Sequence, residues 1–236
     1  MYVCNNIFII YKIFCQAEMI KKKTPKAISC ATIKNINKCP QTTRSNILQA
    51  SIEVFVRRGF VNATLEEIAT EANVTRGAVY WHFKNKYDIF AALHEQLHQP
   101  LTSSILEDIK KQQDDSLKQL QELCVKLLVN LDQDEMRKKI IKVFLCKCDY
   151  SCGMEDILEK QKQQKLKNID LFTKYFDRAK RDKRLSNKVN SKTIAISLAC
   201  YMSGIVSEYL RNPQLFSLKK QAPLLMAQFF ASFKTK

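Results

Sequence analysis

The sequence predicts an all-α protein, and three observations support this fold class. Glycine and proline, the residues that most often break helices, number only 4 and 5 among 236 residues. Apolar residues make up 46% of the chain, which is typical of a globular protein. Apolar residues also recur at intervals of three and four along several segments, the spacing that places them on one face of a helix. A chain of this length can bury one or two cores.

The first predicted helix spans residues 43–58. Its expected buried stripe consists of Ile47, Ala50, Ser51, Val54 and Phe55. Gly59 is expected to end this helix, because glycine readily adopts the left-handed conformation found after many helix C-termini.

Residues 64–83, TLEEIATEANVTRGAVYWHF, are typical of two short helices joined by a tight turn. Thr64 and Glu67 match a capping box, in which each side chain accepts a hydrogen bond from the other residue's backbone amide. Asn73 lies in the turn, where asparagine tolerates a positive φ. Thr75 is the expected N-cap of the second helix. This spacing predicts a helix-turn-helix.

The second of these helices carries an outward face that an ordinary surface would not need. Val79 and Phe83 are four residues apart and are expected to pack inward. The remaining positions are Arg76, Gly77, Ala78, Tyr80, Trp81 and His82. A glycine costs roughly 1 kcal/mol inside a helix, so Gly77 is explained if a partner approaches the backbone closely. The residues therefore favour DNA binding over the alternative, a small core hairpin with an unremarkable surface.

Residues 42–93, TTRSNILQASIEVFVRRGFVNATLEEIATEANVTRGAVYWHFKNKYDIFAAL, resemble the DNA-binding domain of TetR-family transcriptional regulators. Residues 75–86, TRGAVYWHFKNK, are most similar to the AcrR-like branch, the repressors of multidrug efflux genes. Weaker similarity to that branch's ligand-binding domain continues in FLCKCDYSCGM (144–154), YMSGIVSEYL (201–210) and PQLFSLKKQAPLL (213–225). The resemblance implies a homodimeric repressor that a small hydrophobic inducer releases from operator DNA. Residues 41–100 would form the helix-turn-helix DNA-binding domain, and residues 101–236 a helical regulatory and dimerisation domain.

A defined set of residues is expected to contact DNA. They are Thr43, Arg44, Thr64, Thr75, Arg76, Gly77, Ala78, Tyr80, Trp81, His82 and Lys86. Arg76 suits guanine O6 and N7, whereas Tyr80 and His82 suit phosphate oxygens. Lys86 follows Asn85, the expected cap of a fourth helix, and its charge opposes the helix dipole there. A phosphate contact would explain that charge.

Further helices are predicted along the rest of the chain. Pro100 is expected to end or kink the fourth helix near residue 99. Later helices are expected at 116–131, 134–148, 155–181 and 191–210, and Pro223 at an N1-like position is expected to open the last one. The last two are apolar on more than one face, which predicts that a partner chain covers them. The expected dimer interface comprises Ile194, Leu198, Tyr201, Met202, Ile205, Leu225, Phe229 and Phe233.

The resemblance also implies a ligand pocket inside the C-terminal helices, whose filling moves the fourth helix and spreads the two recognition helices. Candidate ligand-binding residues are Cys124, Leu128, Phe144, Cys148, Phe172, Tyr175 and Phe176. Each of them also suits an ordinary core position. An aromatic-lined cavity suits planar apolar or cationic drugs. Control of efflux genes rests on the resemblance alone, and a TetR-type regulator of a different pathway is the alternative.

The net charge of +16 suits a polyanionic partner, but its distribution weakens that argument. Residues 41–100 carry six basic and six acidic residues, so the expected DNA-binding segment is neutral overall. Nine cysteines without regular spacing indicate reduced thiols in the cytoplasm rather than a disulfide framework. We expect no cofactor and no membrane partner.

Residues 1–40 are interpreted as a disordered N-terminal extension, with the true start expected at Met19. The apolar run at the N-terminus is reminiscent of a signal peptide, but Lys12 interrupts it and no basic residue precedes it. The run is also too short and too polar for a membrane span. The basic run Lys21-Lys22-Lys23 would add non-specific attraction to phosphates.

One motif competes with this interpretation. His94, Glu95 and His98 form an H-E-x-x-H pattern, which on a helix can bind zinc with the glutamate as general base. No third histidine follows, since the chain contains only three, although Glu107 or Glu122 stays open as a ligand. A zinc hydrolase is therefore a remote alternative, and a helical adaptor without DNA binding is another. We predict a protein that is not an enzyme.

A second set of metal-type side chains lies at Cys146, Cys148 and Cys152. On a helix, Cys146 would point away from the other two, whereas structural zinc requires four convergent ligands. Packing or pocket lining is the expected role of these cysteines, with oxidant sensing as an alternative, and no metal site is predicted.

Overall fold

The computed structural model describes residues 40–111, 113–146 and 154–233, and within these ranges the protein consists of helices without strands. This confirms the predicted all-α fold class. The helices are α1 (Pro40–Arg58), α2 (Leu65–Glu71), α3 (Arg76–His82), α4 (Lys86–Lys110), α5 (Ser116–Gln133), α6 (Glu135–Cys146), α7 (Glu155–Arg181), α8 (Ser191–Arg211) and α9 (Leu218–Ala231). The expectations for residues 1–39, including the start at Met19, lie outside the described residues.

Side-chain caps determine where the two short helices begin. Thr64 Oγ1 accepts a hydrogen bond from the Glu67 amide at 3.2 Å, and Glu67 Oε2 accepts one from the Thr64 amide at 3.2 Å. This is the predicted capping box, and the bond from the Thr64 amide lowers the pKa of the Glu67 carboxyl. Thr75 Oγ1 accepts from the Ala78 amide at 3.1 Å and begins α3, as expected of an N-cap.

Left-handed backbone makes the two turns that flank α2. Gly59 has a φ of 76° directly after α1, and Asn73 has a φ of 53° between α2 and α3. Both residue types tolerate this conformation, which most others avoid. The predicted turn positions are therefore confirmed.

The first core lies between α1, α2, α3 and the N-terminal half of α4, and it also takes in parts of α6 and α7. Its fully buried side chains include Ile47, Val54, Phe55, Ile68, Val79, Ile89, Phe90, Leu93 and Val143. Phe60 joins this core by ring contacts, with centroids 4.8 Å from Phe90, 5.2 Å from Tyr87 and 5.4 Å from Phe55. The helix-turn-helix is thus supported by packing that extends well beyond residue 100.

The second core lies between the C-terminal half of α4 and helices α5, α7, α8 and α9. Its fully buried side chains include Ile105, Leu120, Cys124, Leu128, Phe176, Ala179, Leu198, Ala222 and Met226. Among the described residues, α8 is the helix that is long and apolar enough to cross a membrane, with a mean hydropathy of 1.3. In this fold α8 contributes Leu198 and Ile205 to the second core.

Two expectations about prolines are wrong, because Pro100 does not end the fourth helix and Pro223 does not open the last one. Pro100 lies inside α4, which continues to Lys110, and Pro223 lies inside α9, which Ser217 caps and which begins at Leu218. A proline leaves the carbonyl four residues earlier without its helical partner. Both prolines are exposed, so water can hydrate those carbonyls, while burial of the opposite helix face holds each helix together. The expected domain boundary at residue 100 consequently falls within a continuous helix.

Lys86 fastens the N-terminus of α4 to the loop between α1 and α2. Its Nζ donates hydrogen bonds to the carbonyl oxygens of Val61 (2.6 Å), Phe60 (3.0 Å) and Ala63 (3.3 Å). A lysine ammonium has three donors, so all three have partners. The ammonium also lies 5.1 Å from the centroid of the Phe60 ring. These contacts offset the unfavourable position of a positive charge at a helix N-terminus.

Replacing Lys86 with methionine keeps the aliphatic stem and removes the three hydrogen bonds. Because two of the three carbonyls belong to buried residues, we expect Lys86→Met to lower the free energy of unfolding by roughly 1–3 kcal/mol. Urea denaturation followed by circular dichroism measures this change. Lys84→Met is the matched control, since Lys84 is exposed and should change stability by less than about 0.5 kcal/mol. Equal stability of the two variants would contradict this role.

Candidate nucleic-acid interface and internal cavity

Helix α3 presents aromatic side chains to solvent. Trp81 is 81% exposed and Tyr80 is 45% exposed, whereas Val79 and Phe83 are buried in the first core, as predicted. An indole with this exposure contributes little to the fold, and exposed apolar surface of this kind commonly marks a contact surface. The outward face of α3 is therefore available to a partner.

Arg76 is held on that face by two neighbours. Its Nη2 lies 3.0 Å from Glu66 Oε1 on α2 and 3.4 Å from the Tyr80 hydroxyl, and its guanidinium carbon lies 5.4 Å from the centroid of the Tyr80 ring. The hydrogen bond to Tyr80 and the charge of Glu66 raise the pKa of Arg76. The side chain is exposed, so screening keeps this ion pair weak. Arg76 is oriented without being sequestered.

Gly77 leaves open space above the helix. A Cβ atom at this position would meet only Thr75 Oγ1, at 3.9 Å, which is an ordinary contact distance. Packing within the described chain therefore does not require glycine at this position. The geometry agrees with the expectation that something outside the chain approaches the backbone.

The other residues predicted to contact DNA differ in how exposed they are and in whether their polar groups already have partners. Arg44 is exposed, and its guanidinium carbon lies 5.2 Å from the centroid of the Phe83 ring. Thr43, Ala78 and His82 are half-buried. Thr64 and Thr75 are exposed, but their hydroxyl oxygens accept the capping hydrogen bonds described above. A phosphate contact by either hydroxyl would have to coexist with its capping role.

Lys86 requires a correction. A phosphate contact was the predicted explanation for its charge at the start of α4. In the structure, the ammonium group of Lys86 instead donates its hydrogen bonds to three carbonyl oxygens of the α1–α2 loop. Lys84, which was not predicted as a site residue, is the exposed lysine directly after α3.

A cavity of about 420 Å³ lies between helices α4, α5, α6, α7 and α8. Its apolar lining includes Leu97, Leu101, Leu127, Leu128, Leu131, Ile141, Phe144, Leu145, Phe172, Ala199, Met202 and Val206. Of the predicted ligand-binding residues, Leu128, Phe144 and Phe172 line this cavity. A volume of this size is typical of sites for small molecules.

Three other predicted pocket residues, Cys124, Tyr175 and Phe176, do not line the cavity. Cys124 is fully buried in the second core, where burial raises the pKa of its thiol to about 12. Burial raises the pKa of Tyr175, and so does the hydrogen bond that its hydroxyl donates to Asp108 Oδ2 at 2.8 Å. Phe176 stacks on Phe230 with centroids 6.3 Å apart. These three are core residues, and Cys148 lies outside the described residues.

The cavity also has polar lining residues that the sequence analysis missed. They are His98, Arg137, Gln161, Lys165, Asn168 and Ser203. Arg137 precedes Ile140, Ile141 and Phe144 at intervals of three, four and seven, so it lies on the buried face of α6. A charged residue on an apolar helix stripe was the signal that could have found it.

The histidines of the H-E-x-x-H pattern face inward. The rings of His94 and His98 have centroids 4.3 Å apart, while Glu95 is exposed. His94 Nε2 and His98 Nδ1 are buried without a hydrogen-bond partner. Burial lowers the pKa of both imidazoles, that of His98 to about 4, so both are neutral at pH 7. Within the described ranges no group of three metal-ligating side chains comes together.

The predicted dimer-interface residues fall into separate groups. Ile194, Leu198 and Ile205 are buried in the chain's own second core, which corrects their assignment to a partner contact. Met202 lines the cavity instead. The half-buried members are Tyr201, Leu225, Phe229 and Phe233. The rings of Tyr201 and Phe229 stack at 5.3 Å and connect α8 to α9.

Exposed apolar side chains on the same two helices were not predicted. Ile196 on α8 is 43% exposed and Leu224 on α9 is 68% exposed. Both side chains are accessible to a partner, unlike Ile194, Leu198 and Ile205, which are buried.

Two family models match the N-terminal and the C-terminal parts of the chain separately. The model described as "Bacterial regulatory proteins, tetR family" matches residues 47–93, and the model described as "MAATS-type transcriptional repressor, C-terminal region" matches residues 115–235. The HTH-type transcriptional regulator AcrR of Shigella flexneri is 31% identical over 182 residues, which cover 77% of this chain and 85% of the relative.

Two solved structures with the same fold extend this comparison. NalD, the secondary repressor of the MexAB-OprM multidrug efflux pump in Pseudomonas aeruginosa, has 28% identity and a TM-score of 0.73, covering 83% of this chain and 97% of NalD. The complex of SmeT with triclosan has 28% identity and a TM-score of 0.74, covering 83% of this chain and 93% of SmeT, a Stenotrophomonas maltophilia efflux-pump repressor. The resemblance found in the sequence is confirmed, and the chain belongs to the TetR family of bacterial transcriptional regulators.

Proposed function

We propose that this protein is a homodimeric, cytoplasmic repressor that binds operator DNA through α3 and releases it when a small hydrophobic molecule fills the cavity. The observation that carries the DNA-binding part is the exposed face of α3, with Trp81, Tyr80 and an oriented Arg76 above a tightly packed core. Its relatives are transcriptional regulators, and we propose the same role without catalysis here.

The recognition step follows from the geometry of α3. In helix-turn-helix proteins the second helix enters the major groove with its N-terminal residues against base edges. Arg76 is the first residue of α3, and a guanidinium there can donate to guanine O6 and N7. The open space above Gly77 allows the DNA backbone to come close. Glu66 would have to give up its ion pair with Arg76 during this step.

Positioning on the phosphates is proposed for Arg44, Thr43, Tyr80 and His82. Arg44 is exposed and lies beside α3 through its contact with the Phe83 ring. Contacts to phosphate fix the orientation of the protein but do not read sequence. Because residues 41–100 are neutral overall, these few groups must act by placement rather than by bulk charge.

The regulatory step uses the cavity and α4. Phe144 lines the cavity, and its ring centroid lies 4.2 Å from that of Phe90, which in turn lies 4.8 Å from that of Phe60. Filling the cavity would press on Phe144 and shift α4 through this contact. A ligand changes DNA affinity only if it binds the two states differently, and a displaced α4 provides the second state.

Multidrug efflux genes are the proposed targets. NalD and SmeT repress such pumps, and SmeT has been seen with triclosan. Control of a different pathway by a TetR-type regulator is the alternative.

Dimerisation is proposed through the outer faces of α8 and α9. Ile196, Leu224, Tyr201 and Phe229 would form a symmetric apolar patch, since a two-fold interface uses the same surface on both chains. Two recognition helices would then face successive major grooves of a palindromic site.

Arg76→Gln tests the recognition step. Fluorescence anisotropy at ~0.15 M salt would compare duplex DNA from upstream of the protein's own gene with a scrambled duplex, for which specific regulators differ by about 10³-fold or more. We expect the substitution to reduce this preference about ten-fold or more, because a bidentate arginine–guanine contact is worth roughly 1–3 kcal/mol.

Arg57→Gln is the matched control for that experiment. Arg57 is also exposed and also forms an ion pair with a glutamate at 3.0 Å, Glu71, but it lies on α1. Its substitution should leave the preference unchanged. An Arg76→Gln protein that still discriminates like the wild type, or a wild type with no preference, would contradict the proposed function.

Leu224→Glu tests the dimer. A carboxylate buried without a partner is costly, so we expect this variant to sediment as a monomer at concentrations where the wild type is a dimer. Leu158→Glu is the control, because Leu158 is an exposed leucine on α7, outside the proposed patch. Sedimentation velocity distinguishes the two forms. A dimeric Leu224→Glu protein would exclude this interface.

A further inference from the structure

The polar lining of the cavity is cationic or neutral. Arg137 and Lys165 are its charged members, and none of the described lining residues is acidic. The sequence alone suggested planar apolar or cationic drugs as ligands. A cationic ligand would meet two like charges here and find no counter-charge among the described lining residues, which argues against that class.

Arg137 lacks the partner that a half-buried guanidinium normally has. It forms no ion pair with any described residue, and Asp134, the carboxylate near it, does not line the cavity. Asp134 Oδ1 instead accepts the backbone amide of Arg137 at 2.9 Å. Burial lowers the pKa of the guanidinium, but an arginine remains charged at pH 7. This half-buried guanidinium therefore has no anionic partner within the described protein and can pair with an anion that enters the cavity.

His98 adds a second polar group without a partner at the same cavity. Its Nδ1 is buried and has no hydrogen-bond partner, and its neutral imidazole can offer a donor or an acceptor. The rest of the lining is mostly leucine and phenylalanine. The cavity therefore combines an apolar body with a small region of hydrogen-bond donors.

We infer that the effector of this regulator is an amphipathic anion, whose carboxylate, sulfonate or phenolate group pairs with Arg137 while its apolar part fills the cavity. Bidentate pairing of a guanidinium with an anionic oxygen group is among the stronger polar contacts in proteins. Lys165 is exposed and attracts the same charge at the cavity edge. This inference rests on the proposed function of the cavity as the effector site, and it names the class of the ligand.

A matched pair of fluorescent probes tests the inference on the full chain at ~0.15 M salt. Anilinonaphthalene sulfonate is an amphipathic anion, and phenylnaphthylamine is the same molecule without the sulfonate. We expect the sulfonate to bind about ten-fold more tightly or better, as a charge-assisted contact allows. Equal affinities of the two probes would overturn the inference, and this comparison requires no substitution.

Variants then locate the contact. Arg137→Gln should remove the preference for the sulfonate, and Arg137→Lys should retain part of it. Lys142→Gln, which removes a cation from the exposed side of the same helix, should leave the preference unchanged. Ala199→Trp fills the cavity and should weaken both probes. Full sulfonate affinity in Arg137→Gln or in Ala199→Trp would overturn the inference.

The test of the ligand class and the test of the proposed function can fail independently. Probe binding is measured without DNA, and the operator preference is measured without probe. A protein that discriminates its operator but binds both probes equally keeps its function as a regulator and loses the proposed ligand class.

Discussion

Helix α4 is packed into both cores, and the rest of the structure depends on this constraint. Phe90 and Leu93 are buried in the first core, and Ile105 is buried in the second. Pro100 lies between these positions on the exposed face, so the helix stays continuous from one core to the other. Because protein interiors are close-packed, a shift of α4 in one core has to be accommodated in the other. Leu97, His98 and Leu101 in the middle of α4 line the cavity, and α3 ends shortly before the N-terminus of α4.

Hydrogen bonds and core packing around the start of α4 support the helix that presents the DNA-facing surface. Lys86 holds the first turn of α4 to three carbonyl oxygens of the α1–α2 loop, and Phe60 in that loop packs against Phe90. Val79 and Phe83 anchor α3 in the same core. Arg76, Tyr80 and Trp81 on the same helix are exposed, so they are available for recognition. A displacement of α4 would therefore reach α3 through contacts that have little freedom to relax.

Local signals in the sequence were sufficient to predict the helix-turn-helix. The capping box of Thr64 and Glu67, the left-handed Gly59 and Asn73, and the cap at Thr75 all depend on neighbours within a few residues. Tertiary effects were harder to predict. Nothing near Pro100 in the sequence reveals that burial of the opposite face keeps the helix intact. The carbonyl partners of Lys86 lie 23 to 26 residues earlier in the chain.

Which residues line the cavity could not be predicted from local sequence either. Residue type alone could not separate Leu128 and Phe144, which line it, from Cys124 and Phe176, which fill the core. Apolar side chains at helical spacing look alike in both settings, since only the three-dimensional arrangement decides which of them border empty space. Arg137 was the more informative residue, because a charge on an apolar stripe needs a reason.

Operator affinity measured while the cavity is filled tests the coupling between the cavity and α4. Triclosan, the ligand seen with SmeT, is the first compound to use, at a concentration that raises the melting temperature of the wild-type protein. We expect the operator Kd to rise at least about five-fold, and the triclosan Kd to rise by the same factor when operator is bound, because linkage is reciprocal. An operator affinity that stays constant while triclosan occupies the protein would contradict the coupling between cavity and α4.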